Sequence, residues 1–117
     1  MENNNNEKAP EYKAVYRYAP ISAQKVRVFA DLIRGKNAED AMTLLGCYPN
    51  RGARMLEKVL KSAVFNAEDL RGPKSDELYV AEVRVDEGPM QRRWKAGSRG
   101  VSYVFKRRSS HIFVELK

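Results

Sequence analysis

Hydrophobic and polar positions along the chain follow two periods. Between Tyr12 and Tyr18 the side chains alternate, with Lys13, Val15 and Arg17 on one side and Ala14, Tyr16 and Tyr18 on the other. That predicts a short strand, which Pro20 stops. Helical spacing follows. Val26, Phe29, Leu32 and Ile33 form an apolar stripe behind Ser22, a residue type that caps helix starts, and Gly35 stands where a left-handed C-cap belongs. A second, shorter helix begins at Asn37, with Asp40 three residues on as a loose capping box. It turns Ala41, Leu44 and Leu45 inward and closes at Gly46. Pro49-Asn50 opens the third and longest helix, striped by Ala53, Leu56, Val59, Leu60, Ala63 and Ala67 and ended by Arg71-Gly72-Pro73.

From Leu78 the period returns to two. Tyr79, Ala81, Val83 and Val85 alternate with Val80, Glu82, Arg84 and Asp86. Further on, Ile112, Val114 and Leu116 alternate with His111, Phe113 and Glu115. These are two strands. Their simplest connection is one antiparallel hairpin with its turn near Gly97 to Gly100. Pro89 is tolerated there because a two-stranded ribbon has only edges.

Charge sharpens this picture because it is not spread evenly. The 117 residues carry 22 Lys and Arg against 15 Asp and Glu, a formal net charge of +7. Seven of the basic residues, Arg92, Arg93, Lys95, Arg99, Lys106, Arg107 and Arg108, lie within residues 88–110, which contain no Asp or Glu. The remaining 15 basic residues equal the 15 acidic ones, so the whole excess sits on the hairpin. A segregated cationic patch implies a polyanionic partner, most often nucleic acid. Each arm beyond Gly88 extends roughly 30–35 Å at strand rise, whereas a compact domain of this length has a radius of gyration near 13 Å. From Gly88 to Gly100 only Met90, Trp94 and Ala96 are hydrophobic. Such arms have no core to join, and order comes to them from a partner. Their guanidinium groups also stack on unpaired bases, which favours folded RNA. Trp94 has two readings, a clamp across the hairpin or a stacking platform for a base. Tyr103 and Phe105 read as packing residues.

Length and composition set the frame. A hydrophobic share of 43% and a charged share of 32% fit one soluble domain, over residues 12–117, with a modest core. Residues 1–11, with four consecutive Asn, read as a disordered polar tail. No apolar run approaches the roughly 18 residues of a membrane span, and the polar start resembles no targeting signal, so a cytoplasmic setting is expected. The lone Cys47 allows no internal disulfide and no Cys-based zinc cluster, and neither metal nor cofactor is expected. Catalysis lacks convergent groups. Cys47 falls in a helix-ending turn, and His111 reads as a hydrogen-bonding strand residue or an RNA contact. Asp86 and Glu87 are neighbours on a strand and so point to opposite faces, leaving a salt bridge from Arg84 or a bound ion as their reading. Gly97-Ser98-Arg99-Gly100 lacks the ending of a phosphate-binding loop. On the third helix Arg51, Arg54, Lys58 and Lys61 recur on one face, open equally to plain solvation and to phosphate contact. A rival reading is a DNA-binding regulator, with the first two helices as a helix-turn-helix. Its second helix would offer Asn37, Glu39, Asp40 and Thr43, an acidic surface that phosphates repel.

Four motifs in order carry a family likeness. They are Ile21-Ser22-Ala23-Gln24-Lys25-Val26-Arg27 with Asp31-Leu32-Ile33-Arg34-Gly35-Lys36, then Leu60-Lys61-Ser62-Ala63 with Asn66-Ala67, then Val85-Asp86-Glu87-Gly88-Pro89, and last Lys106-Arg107-Arg108-Ser109-Ser110-His111-Ile112. From about Tyr12 to Leu116 the chain resembles the bacterial large-subunit ribosomal protein L-twenty-two family. The resemblance implies an α+β fold, three helices packed on a small three-stranded antiparallel sheet with a long protruding β-hairpin at about 84–108. It implies a non-enzymatic structural component of the large ribosomal subunit that binds 23S rRNA and supports subunit assembly. Its hairpin would line the nascent-peptide exit tunnel. Partners would be 23S rRNA, neighbouring large-subunit proteins and the passing nascent polypeptide, with no membrane and no DNA.

On the hairpin the RNA-binding candidates are Arg84, Gln91, Arg92, Arg93, Trp94, Lys95, Arg99, Lys106, Arg107, Arg108 and His111. Arg92, Arg93 and Trp94 are the candidates to face the tunnel. On the body they are Lys25, Arg27, Arg34, Lys36, Arg51, Arg54, Lys58 and Lys61, the first three from the resemblance alone. The chain departs from the family pattern at Ala96-Gly97-Ser98, where Pro-Arg-Ala is common, and at Val101-Ser102, where Arg-Ala is frequent.

Overall fold

A computed structural model describes residues 12–70, 72–96, 98–100 and 102–117, with the backbone alone for residues 91, 93–96, 98 and 102–106. The tail 1–11, Arg71, and Gly97 and Val101 of the expected hairpin lie outside the described residues. In chain order the elements are β1 (Tyr12–Ala19), α1 (Ala23–Ile33), α2 (Ala38–Gly46), α3 (Arg51–Asp69), a 3-10 turn (Ser75–Glu77), β2 (Val80–Glu87), β3 (Gln91–Ala96), a short turn (Ser98–Gly100), β4 (Ser102–Arg107) and β5 (Ser110–Leu116). The fold is α+β.

Strands β1, β5 and β2 form one antiparallel sheet in that order, with β5 central. Its inner face is built from cross-strand rows. Ala14 opposes Val114, which opposes Val83, and Tyr16 opposes Ile112, which opposes Val85. Against this face α3 lies across β1 and β5, and α1 lies on β2, while α2 packs on the flank of α3. The α3 stripe read from the sequence is buried at every position from Ala53 to Ala67. Gly52 is what lets α1 and α3 meet closely, because a Cβ there would stand 2.7 Å from the backbone oxygen of Lys25.

Two bulges correct the expected strand faces. Between Tyr16 and Ala19 the register shifts and Tyr18 takes a positive φ of 58°. Tyr18 therefore swings outward, 64% exposed, and Ala19 takes the buried position. A second shift lies between Val80 and Glu82. It puts Val80 inside with Val83 and Val85, and leaves Tyr79, expected on their side, 56% exposed. On α1 Val26, Phe29 and Ile33 are buried as expected, Ala30 joins them, and Leu32 is 37% exposed. Helix starts differ too. Asn37 accepts from the Glu39 N–H at 3.0 Å as a side-chain cap, whereas Ser22 and Asn50 occupy cap positions without a side-chain bond. Gly35 has the expected left-handed conformation, φ 83°, and donates its N–H to the Val80 carbonyl at 3.0 Å.

Strands β3 and β4 make a separate two-stranded sheet, paired with each other and not with β1, β2 or β5. The single hairpin expected from the sequence is thus two ladders in series. Glu87 pairs with Ser110, but Gln91 pairs with Arg107, so the register slips at the joint between them. The radius of gyration is 18.0 Å, well above the roughly 13 Å of a compact chain this long, and the longest extent is 67 Å.

Candidate nucleic-acid interface

The β3–β4 ribbon brings its cations into register along its backbone. Arg92 stands opposite Lys106, Gln91 opposite Arg107, Arg93 opposite Phe105, Trp94 opposite Val104 and Lys95 opposite Tyr103. At the far turn Arg99 is exposed in the left-handed region, φ 58° and ψ 35°, followed by Gly100 at φ 75°. Arg92, Arg107 and Arg108 are also exposed. The joint that aims the ribbon is narrow. Gly88 donates its N–H to the Ser109 carbonyl at 2.9 Å, and the Ser109 hydroxyl donates to the Pro89 carbonyl at 2.8 Å. A Cβ on Gly88 would lie 2.5 Å from that hydroxyl oxygen and would displace it from its bond to Pro89.

Several candidates also hold the body together. Arg27 donates through Nε and Nη2 to the Val85 carbonyl at 3.1 and 3.0 Å, and Arg34 donates to the Val83 carbonyl at 2.8 Å and to Asp31 at 2.6 Å. Both thereby tie α1 to β2. Arg84 pairs with Glu82 at 3.3 Å and Asp86 at 3.4 Å and lies 4.7 Å over the Phe113 ring. That fulfils the salt-bridge reading of Asp86. The His111 Nδ1 accepts the Tyr18 N–H at 3.0 Å, and the two rings meet edge to face. His111 thus makes the strand hydrogen bond of its first reading. Cys47 is exposed at the end of α2, its Sγ donating to the Thr43 carbonyl at 3.4 Å. Lys36 is exposed beyond α1.

On α3, Arg51, Arg54, Lys58 and Lys61 are all exposed, with Lys61 4.0 Å from Glu57. Lys58 shares a shallow depression with Arg17 of β1, a cation to which the sequence reading gave no role. The larger feature was hidden in the sequence. The starts of α1 and α3 and the root of the ribbon enclose an open cleft of about 900 Å³, lined by Lys25, Arg51, Arg107 and Arg108. These residues come from three distant segments, and only the packing of α1 on α3 at Gly52 and the return of the chain into β5 bring them together.

A small α+β body with a self-paired cationic ribbon is the build of a ribosomal protein. The family model described as ribosomal protein L22p/L17e matches residues 14–117, and the chain belongs to that family, which is structural and not enzymatic. Relatives agree. The large ribosomal subunit protein uL22 of Rhodopirellula baltica is 50% identical over 111 residues, covering 91% of this chain and 93% of its own. The protein of the same name from Caldicellulosiruptor saccharolyticus is 43% identical over 114 residues, covering 97% of this chain and 93% of its own. That of a Thermotoga species is 47% identical over 108 residues, covering 92% and 67% respectively.

Proposed function

We propose that the chain is a structural component of the large ribosomal subunit that binds 23S rRNA, supports subunit assembly and extends its basic hairpin along the nascent-peptide exit tunnel. The supporting observation is the separation of roles. The body is closed around its own core and, together with the tail, charge-balanced, while residues 88–110, the self-paired ribbon and its root, carry the net charge of +7. On this reading the body positions the molecule and the ribbon supplies most of the electrostatic free energy. Arg92, Arg93 and Trp94 are the residues to meet the tunnel, and Arg99 the turn beyond them. Neighbouring subunit proteins and the nascent polypeptide are the further partners. Arg54, Lys58 and Lys61 lie on a face that a second RNA segment would meet.

Salt dependence tests the electrostatic part. With most of the seven hairpin charges on phosphates, the logarithm of the binding constant falls against the logarithm of salt concentration with a slope of about −4 to −5. Replacing Arg92, Arg93 and Lys95 together with Ala flattens that slope by about 2 units. A slope indifferent to the triple substitution overturns the assignment of the hairpin.

A further inference from the structure

The β1–β5–β2 sheet has two edges, and each turns outward backbone groups that no strand pairs. They are covered differently. Along β2, Arg27 and Arg34 donate to the Val85 and Val83 carbonyls, Gly35 donates to the Val80 carbonyl, and the Val80 N–H is taken by the Lys36 carbonyl. Helix α1 and the turn after it thus close that edge from Val80 to Val85. Along β1, among the described residues, a side chain reaches the edge at the Lys13 carbonyl, which accepts from Asn66 Nδ2 at 2.7 Å.

Alternation fixes which groups of β1 face outward. In an antiparallel ladder the N–H and C=O of one residue point to the same side, and those of the next residue to the other. The Lys13 carbonyl faces Asn66, so Val15, two residues on and before the bulge, faces outward as well. The far edge agrees. Val83 turns its carbonyl out to Arg34, so Val114 bonds towards Ala14, and the outward groups of β1 are those of Lys13 and Val15. Among the described residues nothing bonds Val15 on that side, and its side chain is 49% exposed.

Helix α3 makes the second wall. Lys58, Ser62 and Asn66 form a row at four-residue spacing. Eight residues of helix advance about 12 Å and four of strand about 13 Å. With Asn66 on Lys13, the row therefore brings Ser62 level with Val15 and Lys58 level with Arg17. Between row and edge lies an open groove of about 210 Å³ floored by Val59. That is below the roughly 300–1,000 Å³ of small-molecule sites. Arg17 and Lys58 line it with no acidic residue beside them, and among the described residues neither makes an ion pair. A phosphate group could take the Val15 N–H but offers nothing to its carbonyl. Another polypeptide backbone satisfies both.

We propose that this groove takes a short extended segment of another polypeptide as a fourth strand beside β1, its backbone bonded to Val15 and a carboxylate side chain on Arg17 and Lys58. The bulge after Tyr16 ends the straight edge and keeps the added strand short. This goes beyond RNA binding and gives the neighbouring proteins of the proposed function a place of attachment.

The test uses the full chain, 15N-labelled, with three probes: the capped peptide Val-Glu-Val-Glu-Val, the same peptide N-methylated at alternate residues to remove its outward donors, and hexauridine. The plain peptide is expected to shift the amide signals of Val15, Arg17 and Ser62 and to slow hydrogen exchange at Val15. The methylated peptide keeps the charge and is expected to bind about tenfold more weakly, the loss of two hydrogen bonds. Equal binding by the methylated peptide reduces the site to charge alone and overturns the proposal. So does slowed Val15 exchange in hexauridine, which assigns the groove to RNA, and so does a plain peptide that moves none of these signals. Concentration-dependent dimerisation that protects Val15 without any peptide assigns the edge to a second copy of the chain and overturns it too. Titration with a 23S rRNA transcript separates the two readings. A peptide without effect, beside a transcript that binds with the expected salt slope, overturns the added strand and leaves the rRNA reading standing. A transcript bound no better than an unrelated RNA overturns the rRNA reading, whatever the peptide does.

Discussion

Leu60 and Gly52 show how single residues govern this molecule. Leu60 is fully buried within the stripe that α3 presents to the sheet. Leu60→Ala is expected to lower stability by about 3 kcal/mol, the transfer loss plus the cavity it leaves, measured by urea unfolding. Gly52→Ala acts by excess. The new methyl meets the backbone oxygen of Lys25, which cannot move as a flexible side chain would. The expected loss is about 2 kcal/mol, with α1 and α3 pushed apart. Residue-level reading of the sequence succeeded where period alone decides the matter, as on α3. It failed at Tyr18 and Tyr79 because a bulge inverts the faces beyond it while leaving composition and local alternation unchanged. Ser22 and Asn50 have the right chemistry for caps, yet whether a side chain turns back to its own helix depends on tertiary surroundings that propensity does not contain.

Among the elements, the β3–β4 ribbon is the one least supported by its neighbours. Two strands without a third layer are marginal in water, and cations at opposed positions such as Arg92 and Lys106 weaken the pair further. In the free protein, the amides of Arg92 to Ala96 are expected to exchange with solvent nearly as fast as in an unstructured peptide, while those of Leu56 and Leu60 exchange only through global unfolding. Protection in the ribbon equal to that of α3 contradicts this. The hairpin itself was legible because its charge and its poverty of apolar residues are both properties of one contiguous segment. The slip in register at Gly88 to Met90 was not, since it depends on how Ser109 and Pro89 bond across the joint. Gly88→Ala is expected to disturb that joint and change the direction of the ribbon, seen as shifted amide signals at Ser109 and His111 with little change in melting temperature.

At the scale of the whole molecule, elongation and the basic cleft emerge together. Neither could be read locally. Lys25, Arg51 and Arg108 are separated by most of the chain, and no pattern of period two or period 3.6 links them. In cell extract fractionated on a sucrose gradient, the chain is expected to travel with the large ribosomal subunit. Migration as free protein or in small complexes contradicts the proposed function and favours the DNA-regulator reading, against which the exposed Glu39 and Asp40 of α2 already stand. Residues 1–11 add no charge that would alter this expectation, because Glu2, Glu7 and Glu11 outnumber Lys8.

The joint between the two ladders has a consequence for how the protein can change over time. Strands β3 and β4 form a sheet of their own beside the β1–β5–β2 sheet, and the ribbon meets the body across hydrogen bonds around Gly88 and Ser109. Melting of the ribbon therefore does not propagate inward, and substitutions within it leave the folding equilibrium of the body almost untouched. On the proposed function, residues can be exchanged or recharged there under selection from the RNA alone. The unusual Ala96 and Ser102, which would be risky inside a cooperative fold, sit in the stretch where departure from the family pattern costs the least.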